Sequence, residues 1–180
     1  MKNQNTKKLA YAALFLALCL VRPMLTGQIP QIGSMLLPMH IPVLLCGLVC
    51  GWQYGAAVGF VAPLLRSVLF GMPPMYPVAI AMAFELLTYG LVIGLVYRRM
   101  AQKGAAGVYA ALLTAMVAGR LVWGVAEVVL LGLGGKAFTA QAFLAGALLN
   151  AVPGIIVQLV LIPAVMAALQ KARAVKEYAE

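Results

Sequence analysis

At 180 residues, 64% hydrophobic and only 9% charged, the chain lies far from the balance of a water-soluble domain and reads as an integral membrane protein. With no Asp and a single His, two-metal carboxylate sites, di-histidine metal sites and an Asp-containing catalytic triad are excluded. The formal net charge of +9 is expected to come from basic flanks facing anionic lipid, not from a nucleic-acid surface.

The first apolar run, residues 9–25, follows the basic start Met1-Lys2-Asn3-Gln4-Asn5-Thr6-Lys7-Lys8. No small-residue cleavage site follows it and further apolar runs do, so it is expected to be a retained transmembrane helix. Ala10, Ala13 and Ala17 form a small-residue stripe along it. Such stripes let backbones approach closely in lipid, either within the bundle or against a partner membrane protein. Arg22 and Pro23 close the run at a depth where Arg can snorkel to the interface.

Residues 26–40 are Gly- and Pro-punctuated yet moderately apolar, which suits a loop folded over the mouth of a pocket. His40 precedes Ile41-Pro42, with the proline suited to a first helical turn. It is either a capped structural residue or a ligand. Runs 41–50 and 56–70 are separated by Gly51-Trp52-Gln53-Tyr54-Gly55, read as a helical hairpin turn with interfacial aromatics. Arg66 lies near the end of the third run, before a stiff proline-rich loop, Gly71-Met72-Pro73-Pro74-Met75-Tyr76-Pro77. The fourth run, 78–97, carries Glu85 with Tyr89 one turn on.

The fifth run, 108–131, holds Gly119-Arg120-Leu121-Val122-Trp123-Gly124-Val125-Ala126-Glu127. At spacings of three and four, Arg120, Trp123 and Glu127 share one helix face. Charged groups at membrane depth cost at least several kcal/mol unless paired or facing a cavity, which makes them functional-site candidates. In the sixth run, 140–169, Gly146, Asn150, Gly154 and Gln158 recur every four residues, as helix packing or as pocket wall. Cys19, Cys46 and Cys50 sit within apolar runs and read as small core residues rather than a disulfide framework or zinc site.

The expected fold is therefore all-α: a single membrane domain over residues 1–180, a six-transmembrane-helix bundle. On that topology Lys2, Lys7, Lys8, Arg98, Arg99, Lys103, Lys171, Arg173 and Lys176 share one side, with only Lys136 in a loop opposite. The positive-inside rule makes that side, and both termini, cytoplasmic. Glu85, Glu127 and Arg66 then converge with Trp123, Arg120 and Asn150 toward the external half, roofed by residues 26–40 and 71–77. The alternative is that Arg66 or Arg120 pairs with Glu85 or Glu127 only to hold helices together, although buried ion pairs are poor stabilisers.

No energy source is evident. Gly132-Leu133-Gly134-Gly135-Lys136-Ala137 lacks the glycine spacing and the Ser or Thr of a phosphate-binding loop. Two intramembrane carboxylates and no detectable inverted halves under-equip a gradient-driven carrier, so a binding subunit energised by partners is expected.

Ser34-Met35-Leu36-Leu37-Pro38-Met39-His40-Ile41-Pro42-Val43-Leu44-Leu45-Cys46-Gly47, Ala62-Pro63-Leu64-Leu65-Arg66-Ser67, the loop Gly71 to Pro77, and Ala81-Met82-Ala83-Phe84-Glu85 together resemble the substrate-binding S component of energy-coupling factor (ECF) vitamin transporters. The resemblance spans essentially the whole chain and is most specific over residues 34–90. It implies capture of a vitamin or similar micronutrient from outside a bacterial plasma membrane. The subunit would then dock on a transmembrane coupling protein carrying two ATPase subunits and topple to release its cargo. ATP would be used by those partners, with no cofactor or metal of the chain's own. The family's alanine motif on the first helix is matched by Ala13 and Ala17, which implies partner docking there. A ligand site between helices four and six is implied, where Glu85, Arg120, Trp123, Glu127 and Asn150 already point, with Arg66, Tyr89 and His40 as further candidates.

Two acids and two or three Arg suit a zwitterion, or a carboxylate on Arg with hydroxyl or amide protons on Glu. The overall resemblance leans to a pantothenate-like vitamin, then to a pyridoxine-like one, and modest aromatic content argues against a large flavin. A stand-alone proton-coupled small-solute carrier is the competing reading. A membrane enzyme or assembly factor is more remote, since Ser34 and Ser67 lack an evident base.

Overall fold

The computed structural model describes residues 2–25, 39–135, 139 and 151–171. Residues 26–38, the first part of the expected sixth run (140–150), and those beyond 171 lie outside the described residues. Among the described residues the chain is all-helical: α1 (Lys2–Leu25), α2 (His40–Cys50), α3 (Trp52–Phe70), α4 (Ile80–Met100), α5 (Ala105–Leu133) and α6 (Val152–Lys171). A short wide turn, Met75–Ala79, leads into α4, with Tyr76 extended at its start (φ −117°, ψ 133°).

Four segments, Trp52–Phe70, Met75–Met100, Ala105–Leu133 and Val152–Lys171, are long and apolar enough to cross a membrane. The surface agrees. Along α5, Leu113, Val117, Leu121, Val125 and Val128 are exposed at helical spacing, as are Val152, Ile156 and Val160 along α6, an apolar face that only lipid would wet. The Thr88 and Thr114 hydroxyls donate to the carbonyls of Phe84 (2.8 Å) and Ala110 (2.7 Å) on their own helices, as hydroxyls must where water is absent.

α2 has only 11 residues, roughly 17 Å of helix against the roughly 30 Å of a hydrocarbon core. It is buried from His40 to Leu48 and again at Cys50, enclosed by α1, α3, α4 and α6. The expected five-residue hairpin turn contracts to one residue: Gly51 turns the chain with φ 98°, a left-handed value that favours glycine, and Trp52 already begins α3.

Gly55 is freed for a different task. A Cβ there would meet the Gly47 Cα at 2.7 Å and the Gly90 carbonyl oxygen at 2.8 Å. On Gly59 it would collide with the Leu86 carbonyl, and on Gly90 with that of Gly55. α3 and α4 therefore meet backbone to backbone, the packing that small residues permit in lipid. α5 lies along the other flank of α4, and α6 closes against α5 and α2. At one end Gln170 Nε2 donates to the Tyr97 hydroxyl at 3.1 Å, tying α6 to α4. Cys19, Cys46 and Cys50 are buried in this core outside any disulfide.

Candidate functional site

Glu85 of α4 is the centre of a buried polar cluster. Its carboxylate is 2% exposed, and its Oε1 lies 3.0 Å from Arg120 Nη1 of α5 and 3.5 Å from His40 Nε2 of α2. One carboxylate oxygen thus faces nitrogens from two other helices. The contact with Arg120 is an ion pair without hydrogen-bond alignment, and Oε1 has no hydrogen-bond partner.

Tyr89, one turn after Glu85, is buried. Its ring meets the His40 ring edge-on, with centroids 5.2 Å apart. Local sequence makes room for this: a Cβ on Gly119 would stand 2.6 Å from Tyr89 Cε1. The glycine preceding Arg120 therefore lets Tyr89 lie against the α5 backbone while Arg120 reaches Glu85.

Several polar atoms in the cluster are buried without a hydrogen-bond partner: both His40 ring nitrogens, and Nε and Nη2 of Arg120. Unmatched polar atoms in a low-dielectric interior are costly, which makes this cluster the candidate site among the described residues. Glu127 is buried on the same helix as Arg120, two turns on. Trp123, between Arg120 and Glu127, is half-buried.

The other candidates lie differently. Arg66 Nη1 donates to the Leu20 carbonyl near the end of α1 at 3.0 Å, and its guanidinium sits 5.5 Å from the centroid of the Phe70 ring. That bond ties α3 to the C-terminal part of α1. Asn150 lies outside the described residues. Gln158, placed in the sequence on a small-polar stripe rather than among the site residues, is 1% exposed on α6 with Nε2 unpartnered. Ala13 and Ala17 are exposed on α1 beside exposed Leu14, Leu18 and Val21.

The loop before α4 reaches across to α5, where the Tyr76 hydroxyl donates to the Leu130 carbonyl, one turn beyond Glu127. An open apolar groove of about 410 Å³, bordered by Phe84, Leu121, Val125 and Val129, runs on the outside of the α4–α5 pair. Its lining is apolar and offers nothing to a polar solute.

An all-helical, lipid-facing chain with charged and polar groups gathered at its helix interfaces is a membrane protein of the solute-handling kind. The family model for the ECF transporter, substrate-specific component, matches residues 7–166, and the chain belongs to that family. No curated protein and no solved structure matches it. It is accordingly a transporter subunit. Family membership brings a small-molecule substrate and association with an ECF module of ATPases and a transmembrane component.

Proposed function

We propose that the chain captures a water-soluble, vitamin-sized micronutrient from outside a bacterial plasma membrane. It then passes the solute inward by docking on a transmembrane coupling protein driven by two ATPase subunits. The observation that carries this reading is the cluster of His40, Glu85, Tyr89 and Arg120, buried where α2, α4 and α5 meet, with polar atoms left unmatched. A group of that kind is a poor stabiliser of a bundle and a good receptor for a polar solute. Six crossings with both termini cytoplasmic are supported by the distribution of Lys and Arg. The exposed Ala13 and Ala17 support docking through α1. ATP is hydrolysed by the partners, and the chain itself carries no cofactor. The substrate leans to a pantothenate-like vitamin, then to a pyridoxine-like one.

The test is native mass spectrometry of the purified chain, alone and with its partners. A retained vitamin-sized solute that is lost on Arg120→Ala, together with uptake that requires the ATPase module, is the expected result. Uptake into vesicles by the chain alone, without ATP, would overturn the reading in favour of a proton-coupled carrier.

A further inference from the structure

The way Glu85 meets Arg120 narrows the chemistry of the solute, an inference that rests on the capture reading above. A guanidinium presents two donor edges, and the edge formed by Nε–H and Nη2–H holds two parallel donors at the spacing of two carboxylate oxygens. Glu85 occupies the other side of the group, through Nη1 at 3.0 Å. Nε and Nη2 are both buried, and both lack a hydrogen-bond partner. The pairing that fixes Arg120 in place thus leaves its bidentate edge unused.

Glu85 itself is turned toward Arg120 and His40, so it works as a positioning residue that orients the guanidinium. Glu127 is the complementary group. Its carboxylate is 7% exposed, and among the described residues no cation or hydrogen-bond donor engages it. It shares a helix face with Arg120, seven residues and roughly 10 Å further along the axis. A buried acid in that position asks for a donor.

We infer that the solute carries a carboxylate, gripped by the Nε–Nη2 edge of Arg120, and an N–H or O–H donor accepted by Glu127, on a skeleton long enough to reach both. Neutral and purely cationic solutes leave the Arg120 edge unmatched and are rejected on that account, because an unmet buried donor costs more than a merely lost contact.

Calorimetric titration of the purified chain in detergent against matched probes tests this without altering the protein. Pantothenate is compared with its neutral alcohol pantothenol, biotin with biotinamide, and pyridoxine and thiamine supply neutral and cationic controls. The expected result is that a carboxylate probe binds, and that its neutral counterpart binds at least about 100-fold more weakly. Arg120→Lys, which keeps the charge but loses the fork, should bring the carboxylate probe down to the level of its neutral counterpart. Glu127→Gln should weaken the carboxylate probe while preserving the discrimination between the pair.

Tight binding of pyridoxine or thiamine, or equal binding within a pair, overturns the carboxylate assignment and leaves capture standing. Binding of none of the probes, in a preparation from which mass spectrometry finds no retained solute, overturns capture and this inference with it.

Discussion

Glu85 and Arg120 sit on neighbouring helices with their charged atoms 3.0 Å apart, the carboxylate 2% and the guanidinium 14% exposed. Removing one partner of such a pair leaves the other buried and uncompensated, which costs about 3–5 kcal/mol, whereas removing both costs less than the sum. Glu85→Gln and Arg120→Ala should each lower the unfolding temperature in detergent, and the double variant should recover part of the loss. Strict additivity in a double-mutant cycle would mean that the pair is not energetically coupled.

Gly119 and Gly132 lie on the same helix and should respond oppositely to one methyl group. At Gly119 the added Cβ meets the Tyr89 ring at 2.6 Å, and overpacking of this kind costs about 1–3 kcal/mol. Gly119→Ala should therefore destabilise the chain and weaken solute binding, because Tyr89 is pushed toward His40. At Gly132 nothing lies within 4 Å, so Gly132→Ala should be neutral or stabilising by up to about 1 kcal/mol. Thermal unfolding of the two variants side by side is the check.

The Tyr76–Leu130 hydrogen bond ties the loop before α4 to the end of α5. Tyr76→Phe removes one neutral hydrogen bond of about 1 kcal/mol at a partly exposed site. The fold should be unaffected, while a bound solute should dissociate several-fold faster. Stopped-flow release measurements would show this, and an unchanged off-rate would mean that this contact has no part in solute release.

Arg66 makes the reverse prediction. Its donation to the Leu20 carbonyl is a charged hydrogen bond near a helix end, a kind worth about 1.5–3 kcal/mol. Arg66→Ala should loosen α1 and lower stability with solute affinity intact. A large loss of affinity in a well-folded variant would instead make Arg66 a solute-binding residue.

Ala13 and Ala17 lie on the exposed face of α1. Replacing both by Leu should leave solute capture and folding unchanged, and should block ATP-driven uptake in vesicles containing the complete transporter. Normal uptake by that double variant would place the docking surface elsewhere.

Helical spacing alone puts Arg120, Trp123 and Glu127 on one face, and the isolated charges at positions 66, 85 and 120 stand out against an apolar background. Periodicity does not say which helices are neighbours. The choice of Arg66 or Arg120 as the partner of Glu85 stays open in the sequence, and in the structure Arg120 takes that place. Gly51 to Gly55 misleads for a related reason. Both ends look like turn glycines, but only Gly51 has a positive φ, while Gly55 exists to admit the backbones of Gly47 and Gly90. The Tyr76 contact has no legible signal at all, because its acceptor is a backbone carbonyl and any residue would supply one. Residues 26–38 and Asn150, which the sequence also brings to the site, lie outside the described residues.

The single oxygen of Glu85 that faces both His40 and Arg120 also constrains how this protein can diverge. A descendant that lost the acid would strand an imidazole and a guanidinium at once, and one that lost either nitrogen would alter what the acid must hold. Positions 40, 85 and 120, though 45 and 35 residues apart along the chain, should therefore change together across relatives or not at all. A relative that selects a different solute is expected to have exchanged the three as a set.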